Sequence, residues 1–195
     1  MILFFDTETT GFFNDRQPVD HPSQPHLVQL AASLCEDDGP EVMSISLIVN
    51  NAVPIPVQAS NVHKITTEIA AARGIDLAMA VDVFGHLYRL ADTVVAHNIK
   101  FDKGIMEAAI ARRHGAIRTL NKPLFCTMEA ASPILNLPPT ERMLAAGFDK
   151  PKPPKLEECI RHFFDESLEG AHDALIDVAA CRRVYFHLKT LEGAA

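Results

Sequence analysis

The chain has 195 residues, of which 48% are hydrophobic and 22% charged, and its formal net charge is −7. This length and composition fit one domain with a substantial core and exclude a disordered chain. The acidic balance argues against broad non-specific binding to the phosphate backbone, but it does not exclude a nucleic-acid enzyme, because cations held by clustered carboxylates can meet a phosphate.

The N-terminal part of the chain predicts three strands. An apolar run predicts a short buried strand over residues 2–6, and a proline-containing loop follows from Asn14 to Pro25. Residues 26–35 and 42–49 predict two more strands on either side of a turn at residues 36–40. These three strands could form an antiparallel meander.

Helical patterns alternate with two further strands in the rest of the chain. The stretch 133–155 contains six prolines and is predicted to be mostly irregular, with a helical turn or two near residues 140–147. The predicted helices are 66–74, 76–90, 101–114, 155–164 and 171–191, and the predicted strands are 93–97 and 124–127.

This order of elements is typical of an α/β domain, with helices packed on the faces of a mixed sheet. We predict a central five-stranded sheet, built from three antiparallel N-terminal strands and two further strands, flanked by helices. No repeat or domain boundary interrupts the pattern, so residues 1–195 are predicted to form a single domain.

The sequence contains no signal for export or for insertion into a membrane. The apolar start lacks a basic flank and reaches Asp6 after five residues, and no apolar run has transmembrane length. The four cysteines form neither a CxxC pair nor a zinc-binding spacing, which predicts buried free thiols in a reducing compartment. We therefore expect a soluble, cytoplasmic protein without a membrane partner.

Asp6 and Glu8 form the first candidate site. The two residues are two apart on the predicted strand or at its end, so their side chains would point to the same face. Paired carboxylates on an apolar strand repel each other unless a cation lies between them, and hard cations such as Mg²⁺ prefer oxygen ligands. Taken alone, the pair is more typical of solvated loop residues, with the strand ending at Phe5.

Two more acids and a histidine follow in contexts that are ambiguous when each is taken alone. Asp102 falls in the first turn of a predicted helix, where an acid also complements the helix dipole. Asp177 is surrounded by apolar residues in the last helix, and Asp173, one turn earlier, is best interpreted as an N-cap. His172 has a suitable side chain for accepting a proton near neutral pH, but it is also typical of a surface histidine.

Together these residues resemble the DnaQ-like DEDD exonucleases of the subclass with a catalytic histidine. Three motifs carry the resemblance: Phe5-Asp6-Thr7-Glu8-Thr9-Thr10-Gly11, His97-Asn98-x-x-Phe101-Asp102, and His172-Asp173-Ala174-Leu175-x-Asp177. They occur in the family's order and span nearly the whole chain.

The resemblance implies a ribonuclease-H-like fold and a two-metal reaction centre. By analogy, Asp6, Glu8, Asp102 and Asp177 would hold two Mg²⁺ or Mn²⁺ ions. His172 would be the general base, so these five residues are the predicted catalytic set.

The resemblance also implies residues that contact the terminal nucleotide. Thr9, Asn98 and Phe101 match such positions in the family. The segment around His63 looks like the family's H-G-I-T loop, but Lys64 replaces the glycine, which puts the backbone geometry and the substrate role of His63 in question. Phe12 or Phe13 could stack on exposed bases or could anchor the loop.

The implied function is a metal-dependent 3′→5′ exonuclease that acts on single-stranded or frayed 3′ ends and releases nucleoside 5′-monophosphates, with DNA favoured over RNA. An exoribonuclease, of the oligoribonuclease or tRNA-trimming kind, remains open because the motifs bind phosphate and metal. A polymerase-associated proofreading subunit is a further alternative, disfavoured because the sequence ends just after the last predicted helix. A non-catalytic binding module would be expected to lack one of the acids or the histidine. The sequence does not determine whether a polymerase partner or a homodimer exists.

Overall fold

A six-stranded sheet forms the centre of the protein, with strands in the order β4-β3-β2-β1-β5-β6. The structure is a computed structural model, and it describes residues 1–171 and 173–193. The strands are β1 Ile2–Thr9, β2 Leu27–Cys35, β3 Glu41–Asn50, β4 Ile75–Asp76, β5 Thr93–Ala96 and β6 Leu124–Cys126. The helices are α1 Val57–His63, α2 Thr67–Arg73, α3 Leu77–Leu90, α4 Ile99–His114, α5 Thr127–Leu135, α6 Glu141–Ala145, α7 Leu156–Phe164 and α8 Ala174–Gly193.

The predicted mixed sheet is confirmed, with one strand more than expected. The first three strands form an antiparallel meander, and β5 and β6 extend the sheet in parallel with β1. The additional strand β4 has two residues and pairs in parallel with the end of β3. The sequence indicated only a helix cap there, and Asp76 does cap α3, since its Oδ1 accepts a hydrogen bond from the Met79 N–H at 2.8 Å.

Strand β1 has core on both of its faces. Leu3 and Phe5 belong to the cluster that α3 and α4 complete, whereas Ile2 and Phe4 belong to the cluster completed by α8. A central strand covered by helices on both faces has an uninterrupted apolar sequence, which explains residues 2–5. Since side chains alternate, the next residues of β1 are also divided between the α4 side and the α8 side.

Two helices were not predicted. Helix α1 begins after Pro56 with no side-chain cap, so the sequence has no start signal there. Helix α5 begins directly after β6 and contains Pro133, and the proline led to the expectation of a loop. Pro133 has no N–H to bond to the Glu129 carbonyl, and the helix ends two residues later, before Asn136, which adopts a left-handed conformation.

Two predictions about the interior and the surface can be compared with the structure. All four cysteines are buried and free, as the sequence indicated. Within the described residues, none of the helices combines the length and the apolar character needed to cross a bilayer.

Candidate active site

Asp6 and Glu8 lie within β1 and not in a loop after it. The strand continues to Thr9 and pairs with β2 along its length, which fixes the direction of both carboxylates. They lie on the α8 side of the strand, following Ile2 and Phe4 in alternation. The interpretation of the pair as solvated residues beyond the strand is therefore wrong.

Helix α8 brings a third acid to this pair. Carboxylate oxygens of Asp6, Glu8 and Asp177 all lie within 4.8 Å of one another, and the three side chains are partly buried. Asp173 occupies the N-cap position before α8, where its Oδ1 accepts a hydrogen bond from the Leu175 N–H at 3.0 Å. The interpretation of Asp173 as an N-cap is confirmed, and Asp177, one turn into the helix, points toward β1.

Asp102 reaches the same place from the opposite side of the sheet. Its Oδ1 accepts hydrogen bonds from the Thr7 backbone N–H at 3.0 Å and from the Thr7 hydroxyl at 2.7 Å. Thr7 is on the α4 side of β1, between the two acids of the other face. Asp102 is 3% exposed, so these bonds fix the direction of a buried carboxylate.

The four carboxyls affect one another strongly. Burial raises the pKa of the Asp6 carboxyl well above its usual range, and the charges of Asp102 and Asp177 raise it further. Burial, followed by the same neighbouring charges, raises the pKa of Glu8 to about 8. Burial also raises the pKa of Asp102 to about 7, although the hydrogen bonds from Thr7 act in the opposite direction.

This donor set fits hard divalent cations. Oxygen ligands from acidic side chains, close enough to share an ion, are what Mg²⁺ and Mn²⁺ prefer. The raised pKa values of Asp6 and Glu8 mean that the ionised carboxylates lack compensating positive charge. Cations between them would supply that charge.

The acids line an open cleft of about 550 Å³, a size typical of sites for small molecules. Its walls combine the four carboxylates with aromatic, amide and proline side chains. The lining residues are Asp6, Thr7, Glu8, Phe12, His97, Asn98, Phe101, Asp102, Met128, Pro153, Pro154, Lys155, Leu156, Glu157, Leu168, Ala171 and Asp177.

The two phenylalanines after β1 occupy different environments. Phe12 lines the cleft and is 94% exposed. Phe13 packs on α4 at Gly104, where an added Cβ would come within 2.9 Å of its ring. Phe13 therefore anchors the loop, and Phe12 is the one available for stacking.

Asn98 and Phe101 lie in the cleft, as their motif suggests. Asn98 is exposed at the N-cap of α4 in a left-handed conformation, φ 70° and ψ 50°, and its side chain makes no capping hydrogen bond. Asparagine tolerates this conformation better than most residues. The backbone conformation thus sets the position of the Asn98 side chain, and the absence of a capping bond leaves its amide available to a ligand.

Thr9 and His63 do not line the cleft. The Thr9 hydroxyl donates to the Gly11 carbonyl at 2.5 Å, so it shapes the turn before Phe12. His63 is 6% exposed and accepts a hydrogen bond at Nδ1 from the Ile65 N–H at 3.1 Å. Lys64 adopts the left-handed conformation, φ 62°, that glycine adopts readily, so the replacement of glycine does not prevent this turn. Contact of Thr9 or His63 with substrate stays a prediction.

His172, the predicted general base, lies outside the described residues. Its role stays a prediction from the motif.

His97 and Lys155 are among the cleft residues to which the sequence assigned no function. His97 belongs to the second motif, next to Asn98, and Lys155 precedes α7 in a run of prolines and lysines. Adjacency to the motif was a signal for His97. Nothing local to Lys155 indicates that it lies on the same cleft as Asp6.

Comparison with known proteins identifies the family of the chain. The chain matches the exonuclease family RNase_T over residues 3–185. No curated protein sequence matches the chain.

Solved structures with the same fold include three forms of exonuclease I. The E. coli enzyme in complex with a dT13 oligonucleotide has a TM-score of 0.76 at 18% identity, covering 99% of this chain and 42% of that one. The zinc-bound form of the E. coli enzyme with single-stranded DNA has a TM-score of 0.73 at 18% identity, covering 99% and 41%. The enzyme from Methylocaldum szegediense has a TM-score of 0.72 at 19% identity, covering 98% and 41%.

At these identities the structural likeness concerns the fold, and this chain spans about two fifths of the length of the proteins it matches. The family match, by contrast, covers nearly the whole chain and includes all four acids. The chain therefore belongs to the DnaQ-like exonuclease family RNase_T and has the ribonuclease-H-like fold that its sequence predicts.

Proposed function

We propose that residues 1–195 form one metal-dependent 3′→5′ exonuclease domain that removes nucleotides from single-stranded or frayed DNA 3′ ends and releases nucleoside 5′-monophosphates. The observation that carries the proposal is the convergence of Asp6, Glu8 and Asp177 within 4.8 Å, in a cleft that Asp102 also lines. An apolar cleft with one acid would bind many ligands. Several crowded carboxylates indicate cations, and cations indicate a phosphate substrate.

Each acid has a defined place in this proposal. Asp6, Glu8, Asp102 and Asp177 would hold two Mg²⁺ or Mn²⁺ ions. When bound, such ions would activate a water for attack and stabilise the leaving oxygen of a displacement at phosphorus. The four carboxylates together carry four negative charges, which two divalent ions neutralise, so that an acidic protein can approach a polyanion.

His172 would remove the proton from the attacking water. Its unperturbed pKa of about 6.5 suits proton transfer near neutral pH. The variant His172→Ala should lose most activity and keep its stabilisation by Mg²⁺, measured as a thermal shift. A wild-type rate and pH profile in that variant would show that another group accepts the proton.

The cleft also contains groups suited to a terminal nucleotide. Phe12 and Phe101 expose ring surface to it, and stacking on such rings accepts any base. The Asn98 side-chain amide could hydrogen-bond the terminal sugar or phosphate. These contacts favour an unpaired 3′ end, because a stacked base must first leave its duplex partner.

DNA is the favoured substrate because E. coli exonuclease I, which shares the fold, has been solved with dA16 and dT13 oligonucleotides. RNA is the second candidate, since carboxylates and aromatic rings do not distinguish ribose from deoxyribose.

Digestion of end-labelled single strands tests polarity, metal dependence and sugar choice together. With 5′-labelled DNA and Mg²⁺ we expect a ladder of progressively shorter fragments, and with 3′-labelled DNA immediate release of labelled mononucleotide. EDTA should stop both. Early release of mononucleotide from the 5′ end would contradict the polarity, and faster digestion of RNA of equal length would assign the enzyme to the RNA class.

A further inference from the structure

One cation lines the otherwise acidic cleft. Among the lysines and arginines of residues 1–171 and 173–193, Lys155 alone belongs to its lining. The side chain is 71% exposed, and its Nζ lies 3.3 Å from the Oε1 of Glu157, which also lines the cleft. Exposed ion pairs of this kind contribute little to stability, so the ammonium can exchange the carboxylate for a more strongly charged anion at little cost.

The backbone of Lys155 is held at a defined position. Its N–H donates to the Oε2 of Glu158 at 2.7 Å. Glu158 is itself fixed by Lys152, whose Nζ lies 2.6 Å from both carboxylate oxygens. Contacts among Lys152, Lys155 and Glu158 therefore hold the start of α7 in place.

His97 ties the same peptide unit to the sheet. Its Nε2 lies 3.0 Å from the Pro154 carbonyl oxygen, and its Nδ1 lies 2.9 Å from the Thr127 hydroxyl. A carbonyl only accepts, so Nε2 carries the proton and donates it to Pro154, and the Thr127 hydroxyl donates to Nδ1. Burial lowers the pKa of His97 to about 4, which keeps the ring neutral at working pH.

These contacts meet on one planar group. The Pro154 carbonyl and the Lys155 N–H belong to the same peptide bond, whose atoms cannot rotate relative to each other. His97 holds one end of that peptide and Glu158 holds the other. Within the described part of the chain, the other hydrogen bonds and ion pairs of residues 150–155 run to Leu137 and to α7. His97 thus links residues 150–155 to the sheet that carries the acids.

We propose that Lys155 binds a backbone phosphate of the nucleic-acid substrate, and that His97 is a positioning residue that aims Lys155 through the Pro154–Lys155 peptide. This inference rests on the proposed exonuclease function and adds to it a phosphate contact outside the acid cluster. The carboxylates with their ions would hold the phosphate that reacts. Lys155, at the edge of the cleft, would hold a neighbouring one.

Steady-state kinetics on short single-stranded DNA at several salt concentrations tests the lysine. Lys155→Met should raise KM about tenfold with kcat within about twofold, because a phosphate contact made before the reaction is uniform binding. It should also reduce the slope of log KM against log salt by about 0.7, the value for one phosphate contact on a single strand. Lys150→Met, which changes an exposed lysine of the same segment outside the cleft lining, is the matched control and should behave as wild type.

A double-mutant cycle tests the positioning role. His97→Ala should raise KM and reduce the salt slope as Lys155→Met does, and the double variant should show little further change, because both single changes remove the same contact. His97→Gln, which can still donate to the Pro154 carbonyl, should recover part of the effect. Additive effects on log KM, or a wild-type salt slope in His97→Ala, would overturn the positioning role.

Two measurements separate this inference from the proposed function and from misfolding. Amide hydrogen exchange should be faster at Lys155 in His97→Ala and unchanged over β1, whereas general unfolding would affect both. Binding of a fluorescent oligothymidylate in Ca²⁺, followed by anisotropy, reports Lys155 without hydrolysis. No hydrolysis by the wild type with Mg²⁺ or Mn²⁺ would reject the exonuclease function, and equal oligonucleotide binding by wild type and Lys155→Met would reject the phosphate contact.

Discussion

The acidic floor of the cleft (Asp6, Glu8, Asp102 and Asp177) and its exposed rim (Phe12, Asn98 and Lys155) are held in different ways. The floor is partly or fully buried and is carried by the central strand and by two helices packed on its opposite faces. The rim comes from a loop and two helix caps, and Phe12 is 94% exposed. The core of the protein therefore positions the floor, whereas a few local contacts position the rim. Changes in the floor should affect kcat and metal affinity, and changes in the rim should affect KM.

The largest effect should come from Asp6→Asn, which keeps the shape of the side chain and removes its charge. We expect activity below about 1% of wild type, since even groups that only support a metal ligand account for factors of 10–100. The protein should stay folded, because burial and neighbouring acids already disfavour the ionised Asp6. Asp38→Asn, at an exposed turn, is the control. Substantial activity in Asp6→Asn would reject its assignment as a ligand.

Thr7→Val should have the next largest effect, although the residue belongs to no predicted site. It removes the hydroxyl bond to Asp102 and keeps the backbone bond and the side-chain shape. We expect kcat and the apparent affinity for Mg²⁺ to fall about tenfold, as for other changes next to a metal ligand. Mg²⁺ titrations of activity measure both. A change in KM alone would mean that Asp102 is not held by this hydroxyl for metal binding.

Phe12→Ala and Phe13→Ala should have different effects, because Phe12 faces the cleft and Phe13 anchors the loop. Phe12→Ala should raise KM for single-stranded DNA about tenfold, because stacking of one base on a ring is worth about 1–3 kcal/mol, and should leave stability unchanged. Phe13→Ala should lower the free energy of unfolding by about 2 kcal/mol, less than for a fully buried phenylalanine. Kinetics and urea unfolding of both variants test this pair, and similar profiles would show that the two rings share one role.

The last prediction concerns a pH-dependent stabilisation by metal. The folded pKa values of Glu8, about 8, and Asp102, about 7, exceed the unfolded values of 4.5 and 3.8. Between these values the folded protein binds more protons than the unfolded chain, so metal-free stability is highest at low pH and falls as the pH rises through the folded values. Mg²⁺ at about 100 times its Kd adds about 2.7 kcal/mol, or a rise in Tm of about 5–10 °C.

That rise in Tm should appear near pH 8 and largely vanish near pH 5, where protons replace the cations on the carboxylates. Differential scanning calorimetry with and without Mg²⁺ measures it, and Glu8→Gln should reduce the dependence on pH. An equal shift at both pH values would contradict a site built from these carboxyls.

The floor was predictable from the sequence through its three motifs, since local patterns left each of its acids ambiguous. Alternation along a strand places Asp6 and Glu8 on one face, whereas the position of Asp177, one turn after Asp173, allowed it to face either solvent or a cation. Asp102 follows a buried strand by a few residues, so the topology of a parallel strand and its helix brings it to the same edge. The three motifs then identified the family that the match over residues 3–185 confirms.

The rim and its supports required the tertiary structure. The bond between His97 and Pro154 joins residues 57 positions apart, and Thr7 meets Asp102 across 95 positions. Phe12 and Phe13 are identical in type and adjacent in sequence, and only the space over Gly104 decides which of them packs. The amino-acid sequence by itself determined five of the six strands, because these follow apolar periodicity, and the family with its acid set, because these follow motif order. The direction of each exposed side chain depends on contacts between distant segments, and these form only when the chain has folded.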